Sequence, residues 1–228
     1  QKYREEQARL LTSLEHSKAA LQKANADLER FAYIASHDLK TPVRKTASCL
    51  GLEERDVKKG DYNNLEEFLG YAKEGAHQAN ALIEDILKFS KLNHDKPLDL
   101  KPTDLNTVVS NCASQLQGSY GDRFMLIASD LPVIYTAPNL LTILFMNLMD
   151  NAIKYNNSSQ PTIEITVKSS PAEWLIIFSD NGIGIAPEFQ EKVFEMFQRL
   201  HTTREYEGTG IGLAMCKKVA HRLGGNIQ

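Results

Sequence analysis

The sequence predicts an α+β protein in two parts: a helical hairpin, then an α/β sandwich. Three observations carry this. Over about the first ninety residues, apolar side chains recur at the alternating three- and four-residue steps of bundle helices. At Asn93-His94-Asp95-Lys96-Pro97 that periodicity stops. Beyond it, short alternating runs interleave with helical patterns, as in a layered sheet-and-helix domain. The expected organisation is a coiled-coil signalling helix over 1–30, a hairpin over 31–93, a linker at 94–97 and a second domain over 98–228.

The first helix is expected from Gln1 to about Lys58. Leu14, Leu21 and Leu28 recur every seven residues, with Leu10, Ser17, Ala24 and Phe31 at the complementary positions, which describes a coiled-coil seam weakened by Ser17. Lys58-Lys59-Gly60-Asp61-Tyr62 turns the chain. A second helix from about Asn63 carries Leu65, Leu69, Ala72, Ala76, Ala79, Ile83 and Ile86 at the 3.5-residue repeat of a bundle helix. Two such helices bury too little to stand alone. A dimeric four-helix bundle solves this, the alternative being a monomeric hairpin packed on the rest of the chain.

In the second domain, Leu98 to Lys101 reads as a short strand, and Asp104 caps a helix from Leu105 to about Leu116. Phe124 to Ala128 reads as a strand, Asp130-Leu131-Pro132 as a turn, and Pro138 to Tyr155 as a long helix. Thr162 to Lys168 and Trp174 to Ser179 alternate like neighbouring strands. A last helix runs from Leu213 to about Arg222, and Ile227 is placed to begin a further strand.

Composition excludes several classes. The chain has 228 residues, 42% hydrophobic and 24% charged, enough for one large or two small domains. A net charge of −3 gives no electrostatic reason to expect nucleic acid. Cys49, Cys112 and Cys216 lack disulfide or zinc spacing and read as reduced thiols of a cytosolic (cytoplasmic) protein. No apolar run reaches membrane-spanning length, so any membrane or light input is expected to come from a part upstream of this chain.

One stretch stands out chemically: Ser36-His37-Asp38-Leu39-Lys40-Thr41-Pro42. On a helix, Phe31, Ala35 and Leu39 share a broad apolar face, and His37 points about 200° away from it, into solvent. Thr41 lies one turn on, on the same exposed side. Pro42 cannot donate to the Asp38 carbonyl and is expected to loosen or bend the helix beside the histidine. A lone exposed histidine is as a rule solvated decoration, so the downstream motifs matter.

The long helix places Asn147 and Asn151 on one side, with Lys154 one turn further. Neutral oxygens suit a Mg²⁺ bridged to phosphates, and lysine supplies a point charge for them. Asp180-Asn181-Gly182-Ile183-Gly184 follows a strand; its glycines allow close backbone approach and its carboxylate can accept a hydrogen bond from an adenine amine. Phe194 to Leu200 is an amphipathic piece containing Arg199, and the polar segment 201–207 contains Arg204. Gly208-Thr209-Gly210-Ile211-Gly212 then opens a helix whose first amides suit phosphate oxygens. This run is neither a dinucleotide fingerprint nor a P-loop.

Taken together, these motifs resemble the sensor histidine kinases. The 36–42 stretch fits their phosphoacceptor box, His-(Glu/Asp)-x-x-(Thr/Asn)-Pro. Asn147–Tyr155, Asp180–Gly184, Phe194–Phe197 and Gly208–Gly212 look like the N, first-glycine, F and second-glycine boxes, in the family's order. Phe197-Gln198-Arg199-Leu200-His201 with Glu205-Tyr206-Glu207-Gly208-Thr209-Gly210 resembles the phytochrome-like, PAS-linked soluble subgroup. The resemblance implies a dimerisation and phosphotransfer hairpin followed by a Bergerat-fold ATP-binding domain. It implies ATP and Mg²⁺ as cofactors, with Asp180 reading adenine, Asn151 the main metal ligand, and Asn147 and Lys154 beside the phosphates. Tyr155, Gly182, Gly184, Gly208, Thr209, Gly210 and Gly212 would complete the nucleotide site, 201–208 would be a mobile lid, and Arg199 or Arg204 would lie near the γ-phosphate. His37 would be the nucleophile, Asp38 its proton partner, and Thr41 would position water for dephosphorylating a response regulator. The expected partners are a second copy of the chain and a response-regulator receiver domain.

Two departures qualify this. Gyrase-like and mismatch-repair ATPases of the same fold carry a glutamate where this chain has Asn147, so its absence favours transfer to histidine over hydrolysis. The chain also stops at Gln228, where the family continues into further strands, so the ATP domain is expected to be C-terminally truncated. The alternatives are a non-catalytic dimerisation and regulator-docking module with an impaired ATP domain, and a Bergerat-fold ATPase.

Overall fold

The structure, a computed structural model, describes all residues except 1, 60–61, 93–96, 129, 172, 201–205 and 207. The expected turn at Gly60 and Asp61, residue 93 of the hairpin, residues 94–96 of the linker, Arg204, and the side chains of Leu10, Ala24 and Leu28 fall outside the described residues. The chain divides into two compact units, residues 1–83 and 84–228.

The first unit is a helical hairpin. Helix α1 spans Lys2–Lys58 and helix α2 spans Leu65–Lys91. The two approach along one stripe of α2, where Ala72, Gly75, Ala79 and Leu82 are buried. A Cβ added at Gly75 would lie 2.5 Å from Thr46 Oγ1 and 2.9 Å from the Pro42 carbonyl, so the α1 and α2 backbones meet there as only glycine permits. The apolar row expected on α2 therefore splits. Ala72 and Ala79 turn inward, while Leu69 and Ile83 stay exposed together with Leu50, Leu52 and Val57. On α1, Leu14 and Leu21 are exposed as well.

The second unit begins within α2 and continues through β1 (Lys101–Asp104), α3 (Leu105–Tyr120), β2 (Met125–Ala128), β3 (Val133–Thr136), α4 (Pro138–Lys154), β4 (Thr162–Ser169), β5 (Trp174–Asp180) and α5 (Gly212–Arg222). Strands β2, β4 and β5 form a mixed sheet in that order, β2 parallel and β5 antiparallel to β4. Alternation along β4 turns Ile163 and Ile165 into the core and leaves Glu164 outside. Against them pack Leu105, Val109, Cys112 and Leu116 of α3, and Leu141, Phe145, Met149 and Ile153 of α4. The Phe145 ring meets Phe178 of β5 edge-on at 4.9 Å.

Three local expectations need correction. The first strand lies at Lys101–Asp104 instead of Leu98–Lys101, because Thr103 is the buried residue and pairs with Ile134. That partner strand, β3, follows the Asp130–Pro132 turn so closely that its four residues carry no strand-length pattern of their own. Asp104 ends β1 and caps α3, accepting from the Asn106 amide at 2.9 Å. The Phe194–Leu200 piece is not a regular amphipathic element: two 3-10 turns, Pro187–Phe189 and Lys192–Phe194, lead into irregular chain. Residues 225–228, with Ile227, form no strand.

Candidate active site

In the first unit, α1 continues helical through Pro42, so the missing amide does not end the helix. The reason lies in the packing behind it. Pro42 is buried, and its carbonyl accepts the Thr46 hydroxyl at 3.0 Å; that hydroxyl also lies 3.2 Å from the Ala72 carbonyl on α2. Phe31, Ala35 and Leu39 are half-buried, whereas the His37 side chain is 70% exposed. Its Nδ1 lies 3.0 Å from Asp38 Oδ1. In the tautomer protonated at Nδ1 that nitrogen donates to the carboxylate, and the Nε2 lone pair is directed elsewhere. Thr41 is exposed one turn on, its hydroxyl donating to the His37 carbonyl at 3.4 Å.

In the second unit, the C-terminal half of α4 is the scaffold. Asn147 donates from Nδ2 to the Ile143 carbonyl at 2.7 Å, which turns its Oδ1 toward the start of α5. A Cβ on Gly212 would come within 2.9 Å of that oxygen. Tyr155 caps α4, and its carbonyl accepts the Ile183 amide at 3.0 Å. The fit there is tight: a Cβ on Gly182 would stand 2.5 Å from that carbonyl and 2.7 Å from Asp180 Oδ1. Asp180 Oδ1 accepts the Gly182 amide at 2.9 Å, and its second oxygen accepts no hydrogen bond among the described residues. At the other glycine run, the Phe197 amide donates to the Gly210 carbonyl at 2.9 Å. Phe197 holds φ 62°, a left-handed conformation costing a non-glycine residue about 1–2 kcal/mol, so the surrounding packing imposes it. A Cβ on Gly208 would lie 3.1 Å from the Tyr155 hydroxyl, so Asn147, Tyr155, Asp180, Gly182, Phe197, Gly208, Gly210 and Gly212 are brought together within one unit; Gly184, with φ 69°, closes the first turn.

Several residues have engagements that sequence reasoning missed. Lys154 Nζ pairs with Asp150 Oδ2 at 2.6 Å, and Asp150 Oδ1 accepts the Tyr120 hydroxyl of α3 at 2.8 Å. The four-residue spacing of Asp150 and Lys154 was a legible signal for the first contact; nothing in sequence marks the second. Arg199 donates from Nη2 to the Tyr206 carbonyl at 2.9 Å. The Tyr206 ring tilts on Tyr155 at 5.2 Å between centroids, and its hydroxyl donates to Asn157 at 2.8 Å. The Thr209 hydroxyl donates to Asp85 at 2.8 Å.

The donor set fits a magnesium nucleotide. Asn151 is half-buried, and its side-chain amide makes no hydrogen bond among the described residues. No three His, Cys, Asp or Glu side chains cluster into a metal cage among the described residues. A hard cation held by one amide oxygen and by phosphates is the arrangement such a site can support.

An exposed, carboxylate-paired histidine on a helical hairpin, with a separate unit whose glycine turns close on an asparagine-bearing helix, defines a phosphotransfer and nucleotide-binding core. Residues 27–95 match the family model "His Kinase A (phospho-acceptor) domain", and residues 136–228 match "Histidine kinase-, DNA gyrase B-, and HSP90-like ATPase". The chain belongs to the sensor histidine kinases and carries their catalytic core. It is 36% identical to cyanobacterial phytochrome A of Nostoc sp. over 97% of its own length and 28% of that protein's. Identity is also 36% to phytochrome-like protein Cph1 of Synechocystis sp., over 91% of this chain and 28% of the relative. It thus spans under a third of these two curated relatives. The histidine kinase AdeS of Acinetobacter baumannii shares the fold with a TM-score of 0.59 and 22% identity, over 84% of this chain and 89% of that one. No helix among the described residues is long and apolar enough to cross a membrane.

Proposed function

We propose that the chain catalyses ATP-dependent phosphorylation of His37 and passes the phosphoryl group to an aspartate of a response regulator. The observation that carries this reading is the His37–Asp38 pair: an exposed imidazole whose Nδ1 is 3.0 Å from a carboxylate. Asp38 holds the Nδ1 proton, so the Nε2 lone pair is available and the positive charge that develops on the ring is compensated. Nε2 attacks the γ-phosphorus in line. The N–P bond forms as the bond from phosphorus to the β,γ-bridging oxygen breaks, and ADP leaves with that electron pair.

In the second unit, Asp180 offers an oxygen to the adenine amine, while Lys154 and the first amides of α5 face the phosphates. Asn151 would hold Mg²⁺, which when bound neutralises phosphate charge. Thr41, exposed beside His37, would orient water for removing the phosphoryl group from the regulator. The exposed Leu50, Leu69 and Ile83 of the hairpin would be covered by a second copy, giving a four-helix bundle.

Incubation with γ-labelled ATP, followed by acid, tests the reading. Acid-labile label on the wild-type chain and none on His37→Gln, with ATP affinity nearly unchanged, is the expected result. Label retained by His37→Gln would overturn it, and released phosphate without protein-bound label would indicate an ATPase.

A further inference from the structure

The kinase reading leaves Asp150 and Tyr120 without a role, yet Asp150 is linked directly to Lys154, and Tyr120 to Asp150. Asp150 lies on α4 between Asn147 and Asn151, and by helical geometry its azimuth is about 40° from that of Lys154. Its two carboxylate oxygens are both committed. Oδ2 binds the Lys154 ammonium at 2.6 Å, and Oδ1 accepts the Tyr120 hydroxyl at 2.8 Å. Tyr120 is the last residue of α3, a helix whose inner face is part of the core. The Lys154 and Asp150 side chains are only 32% and 29% exposed, so their pairing is screened less than a surface pair.

We infer that Tyr120 and Asp150 are positioning residues that hold the Lys154 ammonium on the nucleotide-facing side of α4; this rests on the kinase reading. The physical reason is conformational. A free lysine side chain samples many rotamers, and fixing it when phosphates arrive costs entropy that reduces affinity. Here that ordering is present before the nucleotide. The ammonium has three donors, so it can keep its bond to Asp150 and still direct the others to phosphate oxygens. Tyr120 makes the arrangement specific. By occupying Oδ1 from a second helix it fixes the carboxylate rotamer, and so the point from which Lys154 reaches out. In return, the lysine neutralises a carboxylate that would otherwise repel the phosphates.

The test is a double-mutant cycle on the whole chain, with ATP and adenosine as ligands and calorimetry as the readout. Tyr120→Phe keeps the ring and removes only the hydroxyl. ATP affinity should fall by about two- to tenfold, less than the full worth of a hydrogen bond to a charged group because the hydroxyl acts on ATP only through Lys154. Adenosine, which has no phosphates, should bind as before. In a Lys154→Met background the same substitution should have no further effect on ATP. Asp150→Asn supplies a second variant whose sign is diagnostic. Removing a negative charge beside phosphates would tighten ATP if the carboxylate were only a charge, and weakens it if the carboxylate positions Lys154. Unchanged ATP affinity in Tyr120→Phe, equal weakening of adenosine, persistence of the effect in Lys154→Met, or tighter ATP binding by Asp150→Asn would each overturn the inference. A wild-type chain that bound no ATP would instead overturn the kinase reading beneath it.

Discussion

Gly182 sits where two backbone segments and a carboxylate converge, and it has no space for a side chain. Replacement by alanine forces a Cβ to within 2.5 Å of the Tyr155 carbonyl, a clash relieved only by backbone movement costing about 1–3 kcal/mol. Because Asp180 and Ile183 are held by this junction, Gly182→Ala should weaken nucleotide binding by roughly tenfold or more as well as lower the melting temperature; calorimetric titration reads the first and thermal unfolding the second. The cysteines make a separate residue-level prediction. Burial pushes the Cys216 thiol up to about 12 and the Cys112 thiol up to about 11, whereas Cys49 is only half-buried on α1. In the native protein at about pH 8, a thiol-alkylating reagent should modify Cys49 first and the other two only as fast as the second unit opens. Mass spectrometry that found Cys216 modified as quickly as Cys49 would contradict the packing of α5 on α4.

Among the elements, α3 depends on its first turn. Asp104 accepts from the side chain and the backbone of Asn106, and the Thr107 hydroxyl reaches its other oxygen. These bonds, the Asn106 side chain foremost, hold the Asp104 carboxyl below its ordinary value. A folded-state pKa below the unfolded one means stabilisation that is complete above the unfolded value and is lost as pH falls through the folded one. Asp104→Ala should therefore melt below the wild type at neutral pH, and the difference should shrink as the pH drops below the carboxylate range. A pH-independent difference in melting temperature would assign the effect to packing instead. Helix α2 shows how one element divides its faces. Ala72, Gly75, Ala79 and Leu82 are buried, and at Gly75 the absence of a side chain lets Thr46 and the Pro42 carbonyl of α1 approach closely.

For the molecule as a whole, the exposed Leu69 and Ile83 of that same helix decide the proposed assembly. They are 38% and 42% exposed and stand two heptads apart, at equivalent positions of the 3.5-residue repeat that the proposed bundle would cover. If Ile83 lies in the proposed bundle seam, Ile83→Glu should shift the chain from dimer to monomer in light scattering, since a charge buried there would have no partner. The second unit should keep its melting transition, because its core of Phe145, Met149, Ile163 and Ile165 belongs to residues 84–228 alone. A monomer already present in the wild type at micromolar concentration would remove the four-helix bundle from the account.

Local periodicity and short motifs were enough to read a large part of this protein along the chain. The exposure of His37, the shared side of Asn147 and Asn151, the Asp104 cap and the order of the helices all depend on residues within a few positions of one another. Which motifs touch was settled by tertiary packing. Tyr155 receives Ile183, Asn147 faces Gly212, Phe197 is forced to a left-handed φ against Gly210, and Tyr120 reaches Asp150 across thirty positions. Packing also made one apolar row on α2 serve two faces, and it made β3 a strand, since four residues become one only when β1 lies beside them. Helical spacing is a property of neighbouring residues and is legible in their order. A contact between distant residues depends on how sheet and helices pack, and that packing is set by the whole core at once.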